Sequence, residues 1–289
     1  MQPTLTKRRS FFIVSIITAA AVACVIACVS PEWLLQRLLF VLLATSSVAI
    51  LAMLIHFHQW QAALDLREGE FHEATSMRLQ QTDALISLLS ALRPIAPLPA
   101  TGGWAASPDF LRELASVVLT KRPKLIVEAS SGVSTIIIAY CLKMIGGGRV
   151  ISLEHNAGFR DESLRQLALH HLQDFATVHH APLVEHFLNN ESFRWYDTRP
   201  IDGIASVDML VIDGPPSVDE FDDKARFPAV PLIWDKLREG AMVVMDDASR
   251  PGELKIIQSW QTSYSLATHA KLNVEKGAVV LVKQASHST

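Results

Sequence analysis

The segment Leu125-Ile126-Val127-Glu128-Ala129-Ser130-Ser131-Gly132-Val133-Ser134-Thr135 constrains the fold more than any other part of the chain. An apolar run of strand length ends in an acid, turns on small residues and continues into a helical pattern over 136–143. The next apolar run, Val150-Ile151-Ser152-Leu153-Glu154, ends in an acid as well. From residue 124 onward, strand patterns (124–128, 149–154, 177–180, 208–213, 241–246, 278–282) alternate with helical ones (134–144, 162–171, 225–237, 253–260). Alternation of this kind predicts an α/β fold, a doubly wound, mostly parallel Rossmann-like sheet covered on both faces. The near-continuous apolar runs before Asp213 and Asp246 fit buried parallel strands.

The N-terminal part obeys a different rule. Residues 11–29 and 38–55 carry no Asp, Glu, Lys or Arg, and each approaches the ~20 residues needed to cross a bilayer core. Ser30-Pro31-Glu32 separates them, and Trp33 is placed to anchor at the interface. This predicts a two-helix transmembrane hairpin over 11–56. Lys7, Arg8 and Arg9 precede the first run, so the positive-inside rule puts residues 1–10 in the cytoplasm and, after two crossings, the C-terminal domain as well. The expected location is the inner membrane, multi-pass. A cleaved leader is the alternative, with Val25-Ile26-Ala27-Cys28 resembling a lipoprotein cleavage box. Cys24 and Cys28 otherwise read as small apolar residues of a span. The third cysteine is Cys141, so the remainder forms no internal disulfide, which suits a reducing compartment.

Residues 57–93 lack proline and read as a juxtamembrane stalk helix, about 50 Å long at 1.5 Å per residue. Leu64, Phe71, Leu85 and Leu92 keep a seven-residue spacing that Arg78 interrupts. The stalk either forms a homodimer or packs Leu85, Leu88 and Leu89 on the following domain. Residues 94–123 form a proline-rich linker and a lead-in helix (111–119) capped by Ser107 or Asp109. The globular domain spans 124–284, with a tail at 285–289. A net charge of −3 gives no basic excess for nucleic acid.

Ligands of open α/β sheets bind beyond the carboxyl ends of the strands. Those tips carry Glu128, Glu154, His180, Asp213 and the pair Asp246 and Asp247. A dinucleotide G-x-G-x-x-G and a Walker loop are both absent, which argues against an NAD or nucleotide-sugar enzyme. Ser130, Gly132 and Ser134 let backbone approach a ligand, and the amides opening the next helix suit a carboxylate. Glu154 stands where an acid accepts from both hydroxyls of a ribose. His155 either lies against a base or is a half-buried residue with a local partner. Asp213, Asp246 and Asp247 converge if their strands are neighbours, and such acids call for a hard cation such as Mg²⁺, or else for arginine partners. Arg226 and Arg250 either grip an anionic acceptor or tie down this cluster. Trp195-Tyr196-Asp197 either walls an acceptor pocket or packs under a loop. The pairs His170-His171 and His179-His180 lack helical metal spacing and read as incidental.

Val-Glu-x-x-Ser-Gly-Val-Ser-Thr (127–135), Val-Ile-Ser-Leu-Glu-His (150–155), Leu-Val-Ile-Asp-Gly-Pro-Pro (210–216) and Val-Val-Met-Asp-Asp-Ala-Ser-Arg-Pro (243–251) occur in that order. Together they resemble class I S-adenosylmethionine (SAM)-dependent methyltransferases, in the bacterial group whose first motif reads Glu-x-Gly-Ser-Gly-Val-Ser-Thr. The likeness covers about 102–282. It implies SAM as cofactor, held by Glu128, Ser130, Gly132, Ser134, Glu154 and His155, with the first loop around the methionine part and Glu154 on ribose. The acids Asp213, Asp246 and Asp247 are similar to those that hold a divalent metal in catechol-type O-methyltransferases, with Asp213 as the catalytic residue. The lead-in Trp104-Ala-Ala-Ser107-Pro-Asp109 is similar to the segment that closes over the cofactor. Two departures stand out: Ser130 replaces the usual glycine, and the residues directly after Asp213 are Gly214-Pro215-Pro216, without the catalytic lysine, which leaves the general base open. The expectation is O-methyl transfer to a small or lipid-linked, glycan-type acceptor. A SAM-binding but catalytically silent membrane module is the alternative.

Overall fold

The computed structural model describes residues 18, 21–22, 34–103, 105–216 and 224–285. Most of the first expected span (11–29), both N-terminal cysteines, Trp104 and most of the C-terminal tail lie outside the described residues. The chain divides into two units, Met1–Ala74 and Thr75–Thr289.

Helix α1, Leu34–Leu92, merges the second expected span and the stalk into one 59-residue element. No proline interrupts it, and Gly69 alone costs about 1 kcal/mol against alanine. It is long and apolar enough to cross a membrane, with a window of mean hydropathy 2.7. Within the first unit Leu39, Phe40 and Leu42 are exposed. The hydroxyls of Thr45 and Ser47 donate to the carbonyls of Val41 (2.9 Å) and Leu43 (2.8 Å), so these polar groups need no water.

In the second unit the last turns of α1 bury Ala84, Leu88 and Leu92. The four-residue spacing keeps the expected Leu88 and sets Ala84 and Leu92 beside it in place of Leu85 and Leu89, of which Leu89 faces outward. Helix α2, Pro108–Lys121, starts after Ser107. The Ser107 hydroxyl does not cap it but donates to Asp109 Oδ1 at 2.6 Å.

Seven strands form the main sheet: β1 Leu125–Ala129, β2 Arg149–Glu154, β3 Ala176–His180, β6 Val207–Ile212, β7 Leu237–Asp246, β8 Leu266–Leu272 and β9 Ala278–Lys283. Their order is β3-β2-β1-β6-β7-β9-β8. β3 through β7 are parallel, and β9 runs antiparallel to both its neighbours. A separate hairpin pairs β4, Leu183–Leu188, with β5, Glu191–Tyr196. Side chains alternate across β1. Ile126 joins the core under α2 and α3 (Val133–Ile145), whereas Val127 and Ala129 join the opposite core with α6 (Pro251–Ser263) and the hairpin residues Trp195 and Tyr196. Helix α4 is Ala157–Leu169, started earlier than expected because Asn156 caps it by accepting from the Phe159 amide at 3.1 Å. The expected helix 225–237 shrinks to α5, Ala229–Ile233, and a 3₁₀ turn, Trp234–Lys236. Pro228 and Pro231 remove donors there, and Leu237 already belongs to β7.

Candidate active site at the carboxyl edge of the sheet

Strand register brings the candidate residues to one level. Leu153 pairs with Ala129, Ala129 with Ile212, and Ile212 with Met245. The next residue on each strand is therefore Glu154, Ser130, Asp213 and Asp246, a row spaced by about 4.8 Å per strand. Topology places β1 and β2 on one side and β6 and β7 on the other, so the row spans the point where the strand order reverses.

Glu128 lies beneath this row, fully buried. Its Oε2 accepts from the Thr135 hydroxyl at 2.6 Å and from the Ser152 hydroxyl. Its Oε1 has no hydrogen-bond partner. Burial pushes its pKa up, and the hydroxyls of Ser134, Ser152 and Thr135 pull it back. The Gly132 amide donates to Thr135 Oγ1 at 3.2 Å, which ties the turn to the same carboxyl. Glu128 and Ser134 thus support the first loop from below. Ser130 holds φ 122°, a region that favours glycine, and its amide donates to the Leu153 carbonyl at 3.0 Å. Gly132, at φ 136°, is the N-cap of α3, whose first amides lack intrahelical acceptors.

Glu154 is buried at the tip of β2. Ser131 donates to its Oε2 at 3.0 Å, and the Asn156 amide to its Oε1 at 2.9 Å. Ser131 also shares a hydrogen bond with the Ser163 hydroxyl at 3.0 Å. His155 Nδ1 lies 3.2 Å from Glu154 Oε1, without hydrogen-bond alignment. The imidazole stands edge-on to Tyr196, ring centroids 6.0 Å apart. A carboxylate with two accepting oxygens beside a small-residue turn and a ring fits a nucleoside.

The second cluster joins Asp213, Asp246 and Asp247, with ligand oxygens all within 4.8 Å of one another. Arg226 is buried among them. It donates to Asp247 Oδ2 at 2.7 Å, to the Asp246 carbonyl at 2.9 Å and to the Asp213 carbonyl at 3.4 Å. Arg250 pairs with Asp247 Oδ1 at 3.0 Å but keeps a half-exposed guanidinium. Arg226 is therefore consumed in tying down the acids, which corrects its reading as an acceptor grip. Arg250 still reaches solvent. Burial raises Asp213 and Asp246 to about 7, Arg226 opposes this and the neighbouring acids reinforce it. The buried Oδ1 of Asp246 has no hydrogen-bond partner, and that of Asp247 has its ion pair with Arg250 alone. An all-oxygen donor set with an orphaned carboxylate oxygen fits a hard divalent cation.

Several further residues take roles that only the structure shows. Gly214, after Asp213, has no room for a side chain, since a Cβ there would stand 2.4 Å from the Tyr196 hydroxyl and 3.2 Å from Ser130 Cβ. Tyr196 is buried and its pKa is raised well above the usual phenol range, first by burial. His170 is not incidental. Its Nδ1 meets the Tyr140 hydroxyl at 2.7 Å, and that hydroxyl accepts from the Ile95 amide at 3.0 Å, fastening the proline-rich linker. Asp197 is engaged by the Arg199 side chain. Trp195 is fully buried packing.

Residues 129–248 match the family described as Methyltransferase domain. No curated protein matches the chain. A SAH-bound methyltransferase from Podospora anserina is 13% identical with a TM-score of 0.53, over 74% of this chain and 96% of that one. An O-methyltransferase from Bacillus cereus in complex with SAH is 19% identical with a TM-score of 0.48, over 70% of this chain and 91% of that one. The match to the methyltransferase-domain model lies within the main sheet, whose fold is the Rossmann-like one of the Podospora anserina protein.

Proposed function

We propose that this chain is a membrane-anchored SAM-dependent O-methyltransferase acting on a small or lipid-linked, glycan-type acceptor. The observation that carries the reading is the level row Glu154, Ser130, Asp213 and Asp246 at the strand-order reversal. It sets a ribose-binding acid on one side and a carboxylate cluster on the other. SAM supplies an electrophilic methyl on a sulfonium, open to in-line displacement by an acceptor oxygen.

The chain's own residues bind and orient. Glu154 accepts from the ribose hydroxyls, with His155 and Tyr196 beside it. The turn at Ser130–Gly132 and the first amides of α3 receive the methionine carboxylate. Asp213, Asp246 and Asp247 would hold a divalent cation such as Mg²⁺, which would lower the acceptor hydroxyl's pKa and orient it. Without a cation, Asp213, raised to about 7, is a proton acceptor suited to neutral pH. The half-exposed Arg250 meets an anionic acceptor. Most of the catalysis on this account is positioning within a charge-complementary pocket.

Helix α1, with its apolar window and internally satisfied hydroxyls, supports anchoring. We place the domain at the cytoplasmic face of the inner membrane, where lipid-linked acceptors are within reach. Titration of the full chain in detergent with S-adenosylhomocysteine, with and without Mg²⁺, tests the cofactor. About micromolar binding that Glu154→Ala weakens by about a hundredfold, followed by methyl transfer to a lipid-linked glycan, supports the reading, and no binding in either condition sinks it. A cofactor-binding but silent module is favoured by Ser130 in a glycine conformation. Binding without transfer to any acceptor would select it.

A further inference from the structure

The β8–β9 turn stands at the active edge because β9 runs against the parallel strands, so that Ala278 pairs with Asp246. Its main chain is fixed on two sides. The Ala248 amide donates to the Gly277 carbonyl at 2.9 Å, and the Ser249 amide to the Lys276 carbonyl at 3.1 Å. From the other side the Glu275 amide donates to buried Asp109 Oδ2 at 2.7 Å. A Cβ on Gly277 would stand 2.0 Å from Ser249 Oγ, so the turn is pressed onto the loop that follows Asp247. None of these contacts uses the Lys276 side chain.

That side chain reaches the lead-in segment. Lys276 Nζ donates to the Gly103 carbonyl at 2.9 Å. Gly102 and Gly103 form a tight turn with φ 81° and 66°, closed by the Gly102 amide on the Ala106 carbonyl at 3.1 Å. A Cβ at either glycine would meet no atom within 4 Å. Lys276 thus joins the lead-in turn through its side chain to the loop after Asp247 through its main chain.

We infer that Lys276 is a positioning residue for methyl transfer, its ammonium seating the Gly102–Gly103 turn against the acidic edge of the sheet. The role rests on the methyltransferase reading. It brings a lysine to the active edge on the β8–β9 turn, whereas Gly214-Pro215-Pro216 stand directly after Asp213. Loss of the ammonium frees the lead-in turn and leaves the sheet, the acid cluster and the Asp109 clamp in place.

The test uses the full chain in detergent, S-adenosylhomocysteine as probe, and the variants Lys276→Ala and Lys276→Arg. Lys276→Ala should weaken binding about tenfold and raise amide exchange in the peptide containing Gly102–Ala106. The thermal midpoint should hold, and Lys276→Arg should restore both readouts. Wild-type affinity in Lys276→Ala overturns the inference while leaving the methyltransferase reading intact. Loss of protection across the whole sheet, unrelieved by Lys276→Arg, also overturns it in favour of a structural role. Failure of the wild-type chain to bind the probe overturns both.

Discussion

Ser131 donates its hydroxyl to Glu154 Oε2 at 3.0 Å, so the acid proposed for ribose already holds a partner. The Asn156 amide engages the other oxygen. A ribose must displace or share with Ser131, whose hydroxyl keeps an alternative in Ser163. Ser131→Ala should therefore leave S-adenosylhomocysteine affinity unchanged or raise it a few-fold, while Glu154→Ala should lower it by about a hundredfold, as expected for losing charge-assisted hydrogen bonds. Calorimetric titration measures both. Equal losses in the two variants would mean that Ser131 belongs to the binding surface.

Ser130 stores strain. Its φ of 122° costs a residue with a Cβ about 1–3 kcal/mol. Glycine removes that cost and returns part of it through unfolded-state freedom. Ser130→Gly should raise the thermal midpoint by about 2–4 °C and tighten cofactor binding, whereas Ser130→Ala, which keeps the Cβ, should do neither. A melting curve on the two variants decides the point.

The parallel core was legible because its signal is local: apolar runs of strand length ending in acids. Register then carried Glu154, Asp213 and Asp246 to one level without further information. Other parts were hidden for physical reasons. β8 (Leu-Ala-Thr-His-Ala-Lys-Leu) is an edge strand with polar residues on both faces, so its pattern resembles a loop. The β4–β5 hairpin is half-exposed and lies outside the main sheet. Lys276 and Asp109 meet their partners across 173 and 166 residues of sequence, which no motif spacing encodes. The sequence leaves Arg226 between two roles, and only its burial and its bonds to Asp247, Asp246 and Asp213 show the guanidinium engaged by the acids.

Gly214 and Tyr196 should behave as a coupled pair. A Cβ at Gly214 would stand 2.4 Å from the Tyr196 hydroxyl, and the buried ring has no room to retreat. Gly214→Ala should destabilise the domain by about 1–3 kcal/mol and displace Asp213, lowering activity. Tyr196→Phe removes the obstructing oxygen, so the double variant should recover most of the loss. A double-mutant cycle by chemical denaturation reads the coupling, and strict additivity would disprove it.

The acid cluster sets a pH dependence whose sign is fixed. Burial raises Asp213 and Asp246 from 3.8 to about 7. Between those values the folded chain binds more protons than the unfolded one, so these groups make stability fall as pH rises through that window. In EDTA the wild-type midpoint should therefore drop between pH 5 and pH 8 by more than that of Asp213→Asn, which lacks one of the two carboxyls; the comparison cancels groups elsewhere. A cation held by Asp213, Asp246 and Asp247 favours the ionised forms and binds only the folded state. Mg²⁺ should thus restore the wild-type midpoint at pH 8 and leave it little changed at pH 5, where protons compete for the same oxygens. An unmoved midpoint at pH 8 with Mg²⁺, in a chain that still binds S-adenosylhomocysteine, would mean that Arg226 and Arg250 alone compensate the cluster. Proton acceptance by Asp213 would then be the remaining route to an activated acceptor.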